Sequence, residues 1–237
     1  WKKMGDWERA EGYFRRIKLS EPKHVLMLKF YEAYYQERGD YRRLLSVLGT
    51  QQANEDSIDK KIEVGLRMAV VAEQELGSNE KAIDIYRSVL KLDPDHAAAR
   101  SGLPSLFVAT RKWNALLEHL KDELNRISGK DTSGQVDLLI EIVQVYRDRL
   151  RLPAMVVATY QQILDTDPSN LEASAQLEQT FRKSGRWNDL IGLLTRRVER
   201  LYVDGTSEES ADLSREIARL WIDKFSNHSQ AAQHLER

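Results

Sequence analysis

The chain has 237 residues, with 36 Lys+Arg against 37 Asp+Glu, a net charge of −1, no Cys, 5 Pro and 12 Gly. Without Cys there is no disulfide framework, no thiol nucleophile and no Cys-ligated zinc, and near-neutral charge gives no general electrostatic case for nucleic acid. An apolar content of 41% is too high for a disordered chain, yet no apolar run reaches the roughly 18 residues of a membrane span.

In chain order, apolar residues at helical spacing predict helices near 7–20, 23–38, 41–53, 57–76, 79–92, 95–110, 113–128, 133–150, 153–166, 170–184, 187–203, 207–225 and 228–237. No segment alternates with period two for long enough to be a strand. Pro22, Pro94 and Pro168 each end a helix, because proline lacks the N–H and restricts the residue before it. Pro153 stands at the start of one, where that loss is harmless. Pro104 has no such assignment. Thr206 and Glu209 are spaced for a capping box.

The three terminator prolines lie 72 and 74 residues apart, and each closes a segment of one pattern. The first reads Gly5-Asp6-Trp7, Ala10, Phe14, Ile17, Pro22; the second Gly77, Ala82, Tyr86, Val89, Leu90, Pro94; the third Val156, Tyr160, Ile163, Leu164, Pro168. Between them a second pattern keeps the same spacing. Tyr41, Trp113 and Trp187 open runs with Leu44 and Leu48, Leu116 and Leu120, Leu190 and Leu194, and are preceded by Tyr35, Phe107 and Phe181. The period is therefore about 36 residues, paired into super-repeats of about 73.

These residues resemble the tetratricopeptide repeat (TPR) family, whose unit is a helical hairpin of roughly 34 residues with small, aromatic and Pro positions at fixed offsets. The pairing resembles long bacterial arrays of degenerate repeats. The resemblance implies an all-α, right-handed α-solenoid of antiparallel helical hairpins. A single solenoid over 1–237 would hold about six and a half repeats, divided as 1–56, 57–130, 131–205 and a partial 206–237. Trp1–Met4 read as the tail of a helix, and a further repeat is still running at Arg237. A fragment of a longer array is the expectation.

The family geometry implies that first helices line a concave face. That register places Lys29, Gln36, Arg67, Val71, Gln74, Glu141, Val145, Gln176, Gln179 and Arg182 there, a mixture suited to a partner peptide or helix. The Lys and Asn pairs by which some members grip a C-terminal carboxylate are missing. The expected function is a non-catalytic protein–protein interaction scaffold. The alternative is a nucleic-acid-binding helical repeat with a basic N-terminal track beginning at Arg15, Arg16, Arg42 and Arg43. Residues 1–52 carry a surplus of basic groups and 204–237 a surplus of acidic ones, so head-to-tail self-association is a further expectation.

No catalytic constellation, cofactor or metal site is expected. His24 and His96 each stand two residues after a repeat proline, as equivalent hairpin positions, and His228 and His234 do not share ligand spacing. Gly129-Lys130-Asp131-Thr132 lacks the strand and second glycine of a phosphate loop. Asp93-Pro94-Asp95 is a helix terminator rather than an acid–base pair. Trp7, Trp113 and Trp187 read as packing between hairpins. Absence of Cys fits a reducing, cytoplasmic setting.

Overall fold

In a computed structural model of the chain, residues 6–127, 129, 131–204 and 207–236 are described, with backbone only for Asp204 and Ser207. Gly5, the Trp1–Met4 tail, Lys130, the Thr206 half of the capping box and Arg237 lie outside them.

Among the described residues there are thirteen α-helices and no strand, the all-α helical-repeat fold that the periodicity implies. They are α1 (Trp7–Ser20), α2 (Val25–Glu37), α3 (Tyr41–Asn54), α4 (Ile58–Val70), α5 (Asn79–Leu92), α6 (Ala97–Ala109), α7 (Trp113–Arg126), α8 (Thr132–Gln144), α9 (Pro153–Thr166), α10 (Leu171–Ser184), α11 (Trp187–Asp204), α12 (Ser207–Phe225) and α13 (His228–Leu235). The chain divides into two compact units, Trp1–His119 and Leu120–Arg237. That division falls inside α7 and coincides with none of the expected super-repeat boundaries.

Helices α2, α6 and α10 begin later than periodicity suggests, because a turn follows each terminator proline. Its third residue caps the next helix: His24 Nδ1 accepts from Met27 N, His96 Nδ1 from Ala99 N and Asn170 Oδ1 from Ala173 N. These bonds satisfy amide groups that a helix start otherwise leaves free. The turn's carboxylates are equally structural. Asp93 accepts from Asp95 N, and Asp167 from both Ser169 N and Ser169 Oγ. The Ser169 hydroxyl is the main reason Asp167 titrates below the usual carboxylate range.

Two helices depart from the expectation of uniform turns. α4 continues as a π-helical segment, Val71–Glu75, and α8 as another, Val145–Leu150. They occupy equivalent places one super-repeat apart. Leu76 N donates to Val71 O at 3.1 Å, the i→i−5 bond of the wider turn. A residue with positive φ then turns the chain into the next helix: Gly77 after the first segment and Arg151 after the second. The same left-handed step occurs at Gly39, Arg111, Gly185 and Ser226. Among the described residues three of these six steps use glycine, which adopts this conformation without the steric cost that a Cβ adds.

Within each unit, helices pack on their chain neighbours, including α2 on α3, α3 on α4, α8 on α9 and α10 on α11. In the first unit, Met27, Phe30, Tyr31, Tyr35, Leu44 and Leu48 form a core under Trp7 and Phe14. It is an aromatic one: Phe14 stacks on Phe30 with centroids 4.5 Å apart, and Tyr31 on Tyr35 at 5.4 Å. Desolvation, aided by the Glu11 carboxylate, pushes the Tyr31 hydroxyl up to about 12. In the second unit the core is mostly aliphatic, with Leu139, Val143, Ile163, Leu177, Leu190, Leu194 and Ile217 around Tyr160 and Phe181. Complete burial of such a side chain contributes roughly 1.5–3 kcal/mol.

Pro104 lies inside α6, which remains helical from Ala97 to Ala109. The proline removes the amide that would bond back to the preceding turn. Gly102, on the same helix, lets the Tyr86 ring come close. A Cβ there would lie 2.8 Å from Tyr86 Cζ.

Candidate functional site

The first helix of each hairpin buries one stripe and leaves the opposite one exposed. On α2 the buried stripe is Met27, Phe30, Tyr31 and Tyr35, which leaves Lys29 and Gln36 exposed. On α4, Arg67 is exposed, and Gln74 is exposed on the π segment that follows. Val71 is only half-exposed and packs against the α2–α3 core. In the second unit, Glu141 on α8 and Gln179 on α10 are exposed, while Gln176 and Arg182 are half-buried.

Val145 stands apart from the other candidate residues, with 7% of its surface exposed. Alongside Ile142, Val143 and Tyr146 it makes the apolar stripe of this helix wider than one face. As placed, it offers little surface to a partner.

Two of the candidate residues already have partners within the chain. Arg67 pairs with Glu32 of the preceding first helix. Arg182 reaches both Glu178, at 2.9 Å, and Glu216 of the following first helix. Arg67–Glu32 and Arg182–Glu216 join successive hairpins across half-exposed surface, where each contributes only about 0–1 kcal/mol. The N-terminal basic track is partly neutralised in the same way. Arg15 pairs with Glu11 at 3.0 Å and Arg43 with Asp40 at 3.2 Å.

In the first unit Lys29 and Arg67 come together on a cavity of about 230 Å³. Val25, Leu28 and Val64 line its apolar part, and Lys23, Glu32, Gln51, Asn54 and Glu55 its polar part. Asn54 Nδ2 is buried there and has no acceptor among the described residues. A buried donor without an acceptor is costly, and a bound group could satisfy it.

The second unit has a cavity of about 300 Å³ between the end of α9, the start of α10 and the middle of α11. Leu164, Pro168, Leu171 and Leu193 make it apolar, and Arg196, Arg197 and Arg200 stand on its edge. The sequence reading missed it by treating second helices as packing elements. The available signal was Arg196, Arg197 and Arg200 at i, i+1 and i+4, two super-repeats after Thr50, Gln51 and Asn54.

Aromatic packing accounts for Trp7, whose ring lies 6.0 Å from Phe30, and for Trp187, which joins the second core and lies under Lys224 at 4.6 Å. Among the described residues no cluster of three or more His, Asp or Glu could hold a metal, and no helix is long and apolar enough to cross a membrane.

Residues 63–96 and 173–209 each match a tetratricopeptide repeat profile. No curated protein sequence matches the chain. Among solved structures, similar chains include YrrB, described as a TPR protein with an unusual peptide-binding site. It is 17% identical, with 76% of this chain and 90% of that one covered and a TM-score of 0.34. MamA from Desulfovibrio magneticus is 16% identical, with 86% and 99% covered and a TM-score of 0.36. The C-terminal part of a TPR repeat-containing protein from Cytophaga hutchinsonii is 10% identical, with 98% and 90% covered and a TM-score of 0.40. Two segments fit the family's profiles, and the same residue register runs through the hairpins around them: the chain contains tetratricopeptide repeats.

Proposed function

We propose that the chain is a non-catalytic protein–protein interaction scaffold that holds a partner peptide or helix against the exposed stripes of its first helices. The observation that carries this reading is a contrast between equivalent positions. Buried positions keep their character from one super-repeat to the next: Tyr35, Phe107 and Phe181; Leu44, Leu116 and Leu190; Leu48, Leu120 and Leu194. First-helix positions on the outward stripe, exposed or half-buried, do not. Gln36 becomes Val108 and then Arg182, Lys29 becomes Ser101, Arg67 becomes Glu141, and Gln74 becomes Asp148. A frame that is constant inside and varied outside suits recognition of a particular partner.

Selection of a displayed random peptide library on the full chain tests this. Enriched peptides should lose affinity when Arg67→Glu and Glu141→Lys are introduced. Failure to enrich any peptide, or affinity unchanged by both substitutions, contradicts the reading.

A further inference from the structure

We infer that the cavity between α9, α10 and α11 receives an acidic partner segment, inserting one apolar side chain while carboxylates on either side of it meet Arg196 and Arg200. The inference rests on the reading of the chain as an interaction scaffold and names the chemistry of one partner site.

Charge is the first ground. Three guanidinium groups stand on one edge of the cavity, and Asp165 is the single carboxylate lining it. Arg196 reaches Asp165 at 3.6 Å, but both side chains are at least 70% exposed, so the pair can exchange for another carboxylate at little cost. Arg197 is engaged by Glu209 of α12, while its Nε remains buried without an acceptor among the described residues. Arg200 is half-buried and makes no hydrogen bond or ion pair among the described residues. Its charge is felt at Asp167, which is held mainly by Ser169. Guanidinium groups so placed favour carboxylate, which they can meet with two parallel bonds.

The floor is the second ground. Leu164, Leu171 and Leu193 line it, and Leu171 is 67% exposed at the first turn of α10, so its apolar surface is available to a partner side chain. About 300 Å³ is at the small end of ligand pockets, which run from roughly 300 to 1,000 Å³. That suits one apolar side chain as an anchor. No aromatic residue lines the cavity, so it lacks the stacking platform by which proteins hold unpaired bases. An acidic peptide therefore satisfies both edge and floor, whereas single-stranded nucleic acid satisfies only the edge.

A cavity of the first unit that shares four of these positions, but is completed by α4 rather than by the helix equivalent to α9, supplies an internal control. Val25, Leu28, Gln51 and Asn54 occupy the positions of Leu171, Ser174, Arg197 and Arg200. Its remaining charges, Lys23, Lys29, Glu32, Glu55 and Arg67, are of both signs.

The test is fluorescence anisotropy of the full chain with a fluorescein-labelled peptide carrying one Phe flanked on both sides by Glu. Saturable binding is expected, weakening as salt is added. Arg200→Glu and Arg196→Glu should each lower affinity tenfold or more, as should replacing the peptide's Phe by Ala. Asn54→Glu, in the other cavity, should leave affinity unchanged. Arg196 is exposed enough that its substitution spares the fold, which circular dichroism checks. The inference is overturned if the acidic peptide does not bind, if both arginine variants bind normally, if the Ala peptide binds as well as the Phe peptide, or if single-stranded RNA binds more tightly than the peptide. Library peptides that depend on Arg67 and Glu141 but ignore Arg196 and Arg200 would overturn this site alone and leave the scaffold reading standing.

Discussion

The cavities of the two units share four lining positions of the repeat, two super-repeats apart, but open toward α4 in the first unit and toward α9 in the second, and they differ in charge. Around both, the frame is held. Tyr35 and Phe181, Leu44 and Leu190, and Leu48 and Leu194 are buried at matching positions. On the lining, Gln51 and Asn54 in one unit become Arg197 and Arg200 in the other. The first cavity is thus mixed in charge and the second predominantly basic. The contrast shows where a helical repeat can vary freely. Core positions are constrained by close packing on the next hairpin. Positions at the mouth of the hairpin groove make polar rather than packing contacts, Gln51 donating to Glu32 and Arg197 pairing with Glu209, and their residue type differs between the units.

The largest effects should be alike in the two units, since they come from the shared frame. Leu48→Ala and Leu194→Ala each remove a side chain about 1% exposed, and each should cost about 2–5 kcal/mol in urea unfolding. A negligible loss at one of them would break the comparison at its base.

Alkaline stability probes the aromatic core of the first unit, where Tyr31 is shifted to about 12; Tyr160 in the second unit is also raised by burial. Tyr31 ionises near 10 when unfolded and at about 12 in the folded chain. The folded state therefore keeps a proton that the unfolded state releases. The stabilisation from the buried neutral phenol is complete below pH 10 and is lost as pH rises toward 12. Tyr31→Phe, which has no proton to lose, should flatten the fall in stability between pH 8 and about pH 11 in urea titrations. An unchanged slope would remove Tyr31 as its cause.

Smaller effects are expected at the left-handed turns. Gly39→Ala and Gly185→Ala, one in each unit, should each cost about 1 kcal/mol, because alanine is strained at positive φ. Arg151→Gly should raise thermal stability by a similar or smaller amount, about 1 kcal/mol at most. A loss of stability in Arg151→Gly would mean that its side chain contributes more than its backbone costs.

Much of the fold is legible in the sequence because helices and their stacking are written in residue spacing. The 72 and 74 offsets of Pro22, Pro94 and Pro168 located the hairpins, and the aromatic and leucine register located the core. The π segments at Val71–Glu75 and Val145–Leu150 escaped, since an i→i−5 bond leaves no signature in apolar spacing. The left-handed steps at Arg111, Arg151 and Ser226 escaped because the usual glycine is absent.

The exposed stripes of the first helices were legible as helix faces, but their partners were not. Arg67 and Arg182 read as open charges until Glu32 and Glu216 are brought beside them from neighbouring hairpins. The arginine-edged cavity was least legible. It is assembled from three helices: α11 carries Leu193 and the three arginines, but Leu164 and Leu171 come from α9 and α10.

The most direct measurement exchanges the two linings. Arg197→Gln with Arg200→Asn gives the second cavity the polar groups of the first, and Gln51→Arg with Asn54→Arg does the reverse. If a constant frame carries variable recognition, the first double variant loses affinity for the Glu-flanked Phe peptide at least tenfold in anisotropy titration, while both double variants unfold as the parent does. Unchanged peptide affinity after Arg197→Gln with Arg200→Asn, or unfolding of the array when the linings are exchanged, would contradict it.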